Sequence, residues 1–229
     1  MNLTNIIYTL LAGVLPALLW LWFWLREDNL HPEPRSLIAL SFLAGCVSVL
    51  VAIIFEGMAQ EVIADQTYRY IAWATIEEMV KFLAIGLVAL RSRNLDEPVD
   101  AMIYCITVAL GFAAMENTLF IFKSFDANGL FDSILTGNFR FIGATLVHTV
   151  SSAMIGFMIG LSFYRGAFTK VFSVLLGIIL ASALHAAFNL AIINATVTST
   201  LKVFGWVWCA VVILIILFEE VKGIRPKTT

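Results

Sequence analysis

Seven stretches of this chain are apolar over lengths that leave little choice of secondary structure. They cover residues 6–25, 37–55, 70–90, 101–122, 141–164, 171–193 and 203–218. An α-helix rises 1.5 Å per residue, so about 20 residues cross the roughly 30 Å hydrocarbon core of a bilayer. Only the last run falls short. Lipid offers no partner to a backbone N–H or C=O, so such runs must satisfy every peptide group within their own helices. Composition agrees: 61% of the 229 residues are hydrophobic and 13% charged, far from the balance of a soluble domain. The expected fold is all-α, a polytopic membrane protein built as a bundle of seven transmembrane helices. Its loops are short, so residues 1–229 are expected to form a single membrane-embedded domain. The first run is already a full span and no basic region precedes it, so no cleavable leader is expected.

The basic residues alternate between the two sides. Arg26, Arg35, Arg91, Arg93, Arg165, Lys170, Lys222, Arg225 and Lys227 fall in one set of loops and the C-terminal tail, against Arg69, Lys123, Arg140 and Lys202 in the other. Basic residues accumulate on the cytoplasmic side, which predicts an outward N-terminus and a C-terminus inside. Cys46, Cys105 and Cys209 lie in apolar runs without paired spacing and read as packing residues. The outer loop 124–139 carries Leu130, Phe131, Ile134 and Leu135 at helical spacing, the pattern of a short helix on the membrane surface. In the fifth run, Gly156 and Gly160 make a GxxxG match that favours close helix packing.

Against this apolar background a few polar groups stand out. Glu77, Glu78 and Lys81 fall in the middle of the third run, where each charge costs at least roughly 2.5–3.5 kcal/mol unless it faces a polar interior. A structural ion pair could account for Glu77 and Lys81, four residues apart on one helix face, but not for Glu78 as well. Glu116 and Asn117 interrupt the fourth run, His148 the fifth, and His185 with Asn189 the sixth. With the predicted topology, Glu77, Glu116, His148 and His185 all lie roughly 9–12 Å from the outer ends of their spans, at 1.5 Å per residue. Scattered packing residues have no reason to agree in depth across antiparallel spans, so these four are expected to surround one cavity in the outer half of the membrane, with Glu78 at its edge. His185 and Asn189 share a face at i, i+4, as do Phe112 with Glu116 and His148 with Ser152.

Two chemistries fit these residues. Glu116, His148 and His185 could hold one divalent metal such as Zn2+, with a position left for water. Alternatively, without a metal, a desolvated glutamate, Glu77 or Glu78, activates water while His185 and Asn189 donate to a developing oxyanion.

The motifs also carry a family resemblance. Glu77-Glu78-Met79-Val80-Lys81 reads as EExxK, Phe112 to Asn117 as FxxxEN, His148 stands alone in its run, and His185 to Asn189 reads as HxxxN. Together with Pro32-Glu33-Pro34 before the second run, their order resembles the PrsW family of bacterial intramembrane proteases. Relatives of that family include the CAAX prenyl proteases, whose EExxxR and FxxxH patterns differ at Lys81 and Glu116, and more distantly a scaffold subunit of γ-secretase. The resemblance implies a multi-pass protein of the bacterial cell membrane that makes the first, extracytoplasmic-side cut in a membrane-anchored anti-sigma factor during a stress response. It places Glu77, Glu78, Glu116, His148, His185 and Asn189 at the catalytic site, with Lys81, Phe112 and Asn117 supporting them. The implied partners are a single-span membrane protein and the lipid bilayer, not nucleic acid. Two other classes remain open on the residues alone. A proton- or ion-coupled transporter also uses buried Glu and His, although paired halves with broken helices are absent from this sequence. A non-catalytic membrane scaffold could keep the histidines but has little use for adjacent carboxylates.

Overall fold

The structure is a computed structural model that describes residues 3–28, 31–128, 132, 134, 140–193 and 197–226. Among them there are seven long α-helices and no strand. They are α1 (Leu3–Glu27), α2 (Arg35–Val62), α3 (Gln66–Val88), α4 (Pro98–Asn128), α5 (Thr145–Leu161), α6 (Ala167–Ile193) and α7 (Val197–Lys222), with a π-helical turn at Arg140–Ala144 leading into α5. Pro34 immediately precedes α2 and Pro98 opens α4, positions where the missing N–H costs nothing because the first turn has no acceptor for it. At the start of α3 the Asp65 carboxylate accepts from the Tyr68 N–H at 3.0 Å, a side-chain cap.

Five helices contain stretches long and apolar enough to cross a membrane: Asn5–Glu27, Arg35–Val62, Pro98–Ala127, Ala167–Ile193 and Ser199–Lys222. The other two depart from that pattern for different reasons. Helix α3 carries Glu77, Glu78 and Lys81, and α5 has 17 residues, completed by the π turn. The apolar outer faces are broad. On α2, Leu40, Leu43, Val47, Leu50 and Ile54 are all exposed, as a lipid-facing stripe requires.

Helix α4 is the hub. Every residue from 98 to 114 is buried, and α1, α2 and α5 all pack against it. Small residues set these approaches. A Cβ on Gly156 of α5 would lie 2.6 Å from Met102 Cα and 2.7 Å from the Ala101 carbonyl oxygen, so the GxxxG match serves packing within the bundle. Gly45 of α2 and Gly111 of α4 likewise rest directly on each other's helix, against the Val108 and Phe42 carbonyls. Cys105 is buried and Cys46 Sγ donates to the Gly111 carbonyl at 3.2 Å, whereas Cys209, expected in the core, is exposed. Helix α4 extends to Asn128, past the expected end of its run. The expected surface helix falls on Leu130, Phe131, Ile134 and Leu135, and lies largely outside the described residues.

Candidate active site

Four helices deliver the polar residues to one place. Glu77 and Glu78 come from α3, Glu116 from α4, His148 from α5 and His185 from α6. Glu78 and Lys81, three apart on α3, have no exposed surface at all. The Lys81 ammonium donates to Glu78 Oε1 at 2.6 Å, and Ser152 Oγ donates to Glu78 Oε2 at 2.7 Å. His185 Nδ1 lies 2.9 Å from Glu78 Oε1. Both Glu78 oxygens are thus satisfied, which is what allows a carboxylate to sit so deep. Sequence reasoning puts Glu78 at the edge of the cavity; the structure puts it behind the cavity wall, holding the wall's parts together.

The partners fix the histidine tautomers. A carboxylate only accepts, so His185 carries its proton on Nδ1 and keeps a lone pair on Nε2. His148 Nε2 lies 3.0 Å from Glu116 Oε2 and Nδ1 lies 3.1 Å from Lys81 Nζ. An ammonium only donates, so His148 is protonated on Nε2 and its lone pair is on Nδ1. The free His185 Nε2 lone pair lies 3.8 Å from Glu77 Oε2, and His148 Nδ1, which accepts from Lys81, lies 3.6 Å from the same oxygen. That carboxylate oxygen is buried and has no hydrogen-bond partner. A carboxylate oxygen without a hydrogen bond, beside one free imidazole lone pair and a second that Lys81 would have to release, is a candidate donor set for a divalent cation. Glu77, His148 and His185 offer ligand atoms all within 4.8 Å of one another. This candidate set shares His148 and His185 with the expected one and has Glu77 where Glu116 was expected, Glu116 Oε2 being held by His148 and Arg140.

Glu116 Oε2 accepts both from His148 Nε2 and from Arg140 Nη2. Arg140 Nε in turn donates to Asn117 Oδ1 at 2.5 Å, and Asn117 Nδ2 donates to Thr145 Oγ1 at 2.9 Å. Asn117 therefore positions the arginine. The π turn starting at Arg140 aims that side chain inward, a common use of such turns at functional sites. Phe112 lies below, with Lys81 Nζ 4.6 Å from its ring centre and the His148 ring 5.3 Å away. Its apolar face keeps water from the charges while favouring the cation.

Part of this network opens on a cavity of about 370 Å³. Glu77, Glu116, Arg140, His148, His185 and Asn189 form its polar part, and Phe120, Phe188, Ile192 and Phe204 contribute an apolar wall. Glu56 of α2 and Tyr70 and Trp73 of α3 also line it. Arg140, Glu56, Tyr70 and Trp73 escape sequence reasoning. Arg140 reads as one more loop charge, and Glu56 falls just past the end of an apolar run. With neutral histidines and every carboxyl ionised, Glu77, Glu78 and Glu116 face two cations, Lys81 and Arg140, which leaves one negative charge in excess, and Glu56 on the cavity lining adds a second.

The fold and the site define a class: a helical membrane protein with buried glutamates and histidines gathered around a cavity inside its bundle. A sequence model described as "PrsW family intramembrane metalloprotease" matches residues 33–218. The chain belongs to that family. It is 28% identical over 152 residues to a protein named protease PrsW from Geobacillus kaustophilus, covering 65% of this chain and 64% of that one. A protease PrsW from Shouchella clausii is 27% identical over 182 residues, covering 78% and 80%, and one from Bacillus subtilis 22% identical over 181 residues, covering 78% and 79%. The match to the Geobacillus protein thus spans just under two thirds of that relative's length. No solved structure matches the chain. A multi-pass protein of the bacterial membrane follows from the family and from the apolar helices.

Proposed function

We propose that this protein is an intramembrane endopeptidase whose reaction centre is Glu77, His148 and His185. The observation that carries the proposal is the buried Glu77 Oε2, which has no hydrogen bond and lies 3.6 Å from His148 Nδ1 and 3.8 Å from His185 Nε2. Those three residues are the ones to hold a metal. A divalent metal bound there acts as a Lewis acid, polarising the scissile carbonyl and making water nucleophilic at neutral pH.

The remaining steps belong to the chain's own side chains. Glu78, pinned by Lys81 and Ser152, keeps His185 protonated on Nδ1 and so keeps Nε2 available. Glu116 keeps His148 protonated on Nε2, and His148 Nδ1 would become a ligand once Lys81, which it now accepts from, is left to Glu78. Both bonds to Glu116 use Oε2, which leaves Oε1 to take the proton of attacking water. His185 cannot both present a lone pair and donate from Nε2, so donation to the developing oxyanion falls to Asn189, one turn along α6 in the cavity wall. The apolar wall excludes bulk water and suits a peptide segment drawn from a membrane span.

The substrate in this reading is a single-span membrane protein. The family resemblance supports an anti-sigma factor as the protein cut, and the paired Glu77 and Glu78 support kinship with the prenyl proteases, from which Lys81 and Glu116 depart. Seven spans, with the N-terminus outside, put the site nearer the extracytoplasmic face, and the distribution of Lys and Arg supports that orientation. The test is cleavage of a single-span reporter by the purified protein in liposomes. Wild type should cut once, inside the outer boundary of the span, and the Glu77→Gln, Glu78→Gln double variant should not cut. Undiminished cleavage by that double variant would sink the assignment.

A further inference from the structure

A second group of carboxylates lies at the other end of the bundle. Asp28 follows α1, Glu33 precedes α2 and Asp100 lies in the first turn of α4. Sixteen residues of α4 separate Asp100 from Glu116, about 24 Å along the helix. The cluster is therefore independent of the reaction centre.

The three carboxylates offer oxygens that all lie within 4.8 Å of one another. Three negative groups at that range repel unless something positive is shared among them. No ion pair among the described residues involves any of the three. Of the basic side chains in this region, His31 Nδ1 is paired with Glu97 at 2.7 Å and Lys222 Nζ with Glu219 at 2.5 Å, and Arg35, which lines the neighbouring cavity, forms no ion pair with the cluster. Asp28 is only 6% exposed, and its Oδ2 is buried without any hydrogen-bond partner. That atom marks an incomplete site, since a buried carboxylate oxygen left unpaired is strongly disfavoured.

The other two carboxylates are half engaged in a way that orients them. Asp100 Oδ2 accepts the backbone N–H groups of Asp96 at 2.9 Å and Glu97 at 2.6 Å. Glu33 Oε2 accepts from Tyr104 Oη. The Glu33 and Asp100 carboxyl groups also meet each other in a side-chain hydrogen bond. Such a pair holds one shared proton, which a bound cation replaces, and the outer hydrogen bonds keep both groups oriented for it. Burial, with Asp100 close by, pushes the Asp28 carboxyl up to about 6, and burial pushes Glu33 up to about 8, the direction of carboxylates short of a counter-charge.

We propose that Asp28, Glu33 and Asp100 bind a hard divalent cation of the Mg2+ or Ca2+ kind. An all-oxygen donor set without histidine or cysteine selects that class over zinc. A neighbouring cavity of about 580 Å³, also lined by Asp28 and Glu33, gives an entry path and room for the waters such ions retain. The cation ties the α1–α2 connection to the first turn of α4, the helix on which the rest of the bundle packs. Its role is to fix that end of the fold while the chemistry proceeds at the other.

The test is calorimetric titration of the full-length protein in detergent at pH 8 with MgCl2 or CaCl2, alongside thermal unfolding. Wild type should bind one ion per chain and unfold roughly 5 °C higher at saturating ion. Asp28→Asn and Glu33→Gln should each weaken binding by about tenfold or more. Should Asp28→Asn fail to fold, the half-buried Glu33→Gln decides alone. The Glu77→Gln, His185→Ala variant should bind as wild type does, so failure of the reaction-centre reading leaves this result untouched. Absence of binding at millimolar ion, binding unaltered by Glu33→Gln, or binding lost in the Glu77→Gln, His185→Ala variant would each overturn the proposal.

Discussion

At the scale of single residues, the site depends on which atoms are already committed. Glu77 and Glu78 are adjacent in sequence yet occupy opposite conditions: both Glu78 oxygens have donors, and Glu77 Oε2 has none. Their substitutions should therefore fail differently. Glu77→Gln removes a charged ligand and should abolish both metal retention and cleavage. Glu116→Gln should keep the metal while reducing cleavage by about 10²-fold or more, because it removes a proton acceptor. Asn189→Ala should also keep the metal and lower the rate by roughly 10²–10³ through loss of an oxyanion donor. Metal content and single-turnover rates on the same preparations separate the three. Lys81→Met leaves the fully buried Glu78 without its counter-charge and should destabilise the fold by about 3–5 kcal/mol. A double-mutant cycle with Glu78→Gln, followed by denaturant unfolding in detergent, should recover a large part of that loss; strict additivity would contradict the pairing.

At the scale of elements, α4 and α5 carry the arrangement. Their contact brings Glu116 to His148, and it depends on the absence of a side chain at Gly156. Gly156→Val should destabilise the protein by about 1–3 kcal/mol through overpacking against the Ala101–Met102 backbone. Gly86 in α3 has open space around it, and Gly86→Ala should be neutral or slightly stabilising, since alanine favours helix. Thermal unfolding of the pair checks both signs; equal effects would remove the close approach as the cause. The helices themselves were legible in the sequence, because length and hydropathy determine them. The motif residues were legible too, since a charge in an apolar run is conspicuous. What could not be read was partner choice across helices. Glu116 reads as a metal ligand until the π turn brings Arg140 to it, and a π turn leaves no periodic trace in five residues. Glu78 reads as a cavity-edge residue because spacing alone cannot tell which face of α3 meets α5 and α6. Asp28 and Glu33 lie in a connector and Asp100 at the start of α4, outside the apolar runs, where no repeat shows that three carboxylates converge.

At the scale of the whole molecule, the bundle separates the proposed reaction centre, which meets α4 at Glu116 past the middle of that helix, from an acidic cluster at its first turn. Orientation in the membrane gives that separation its meaning. The N-terminus is predicted outside and the C-terminus inside, so a reporter fused after Thr229 should be active only when it is a cytoplasmic one; activity of an extracytoplasmic reporter would reverse the topology and with it the side of the cut. A transporter or a scaffold could share this architecture without any need for a transition metal at Glu77, His148 and His185. Elemental analysis of the purified protein, paired with the cleavage rate before and after a chelator, bears most directly on the reaction centre. About one zinc or similar transition-metal ion per chain is predicted in wild type and in Asn189→Ala. It should be lost together with activity in Glu77→Gln, His148→Ala and His185→Ala, and activity should return to the chelated wild type on adding the metal back. Full cleavage by wild-type protein stripped of transition metal, or the same metal content in all three ligand variants as in wild type, would contradict it.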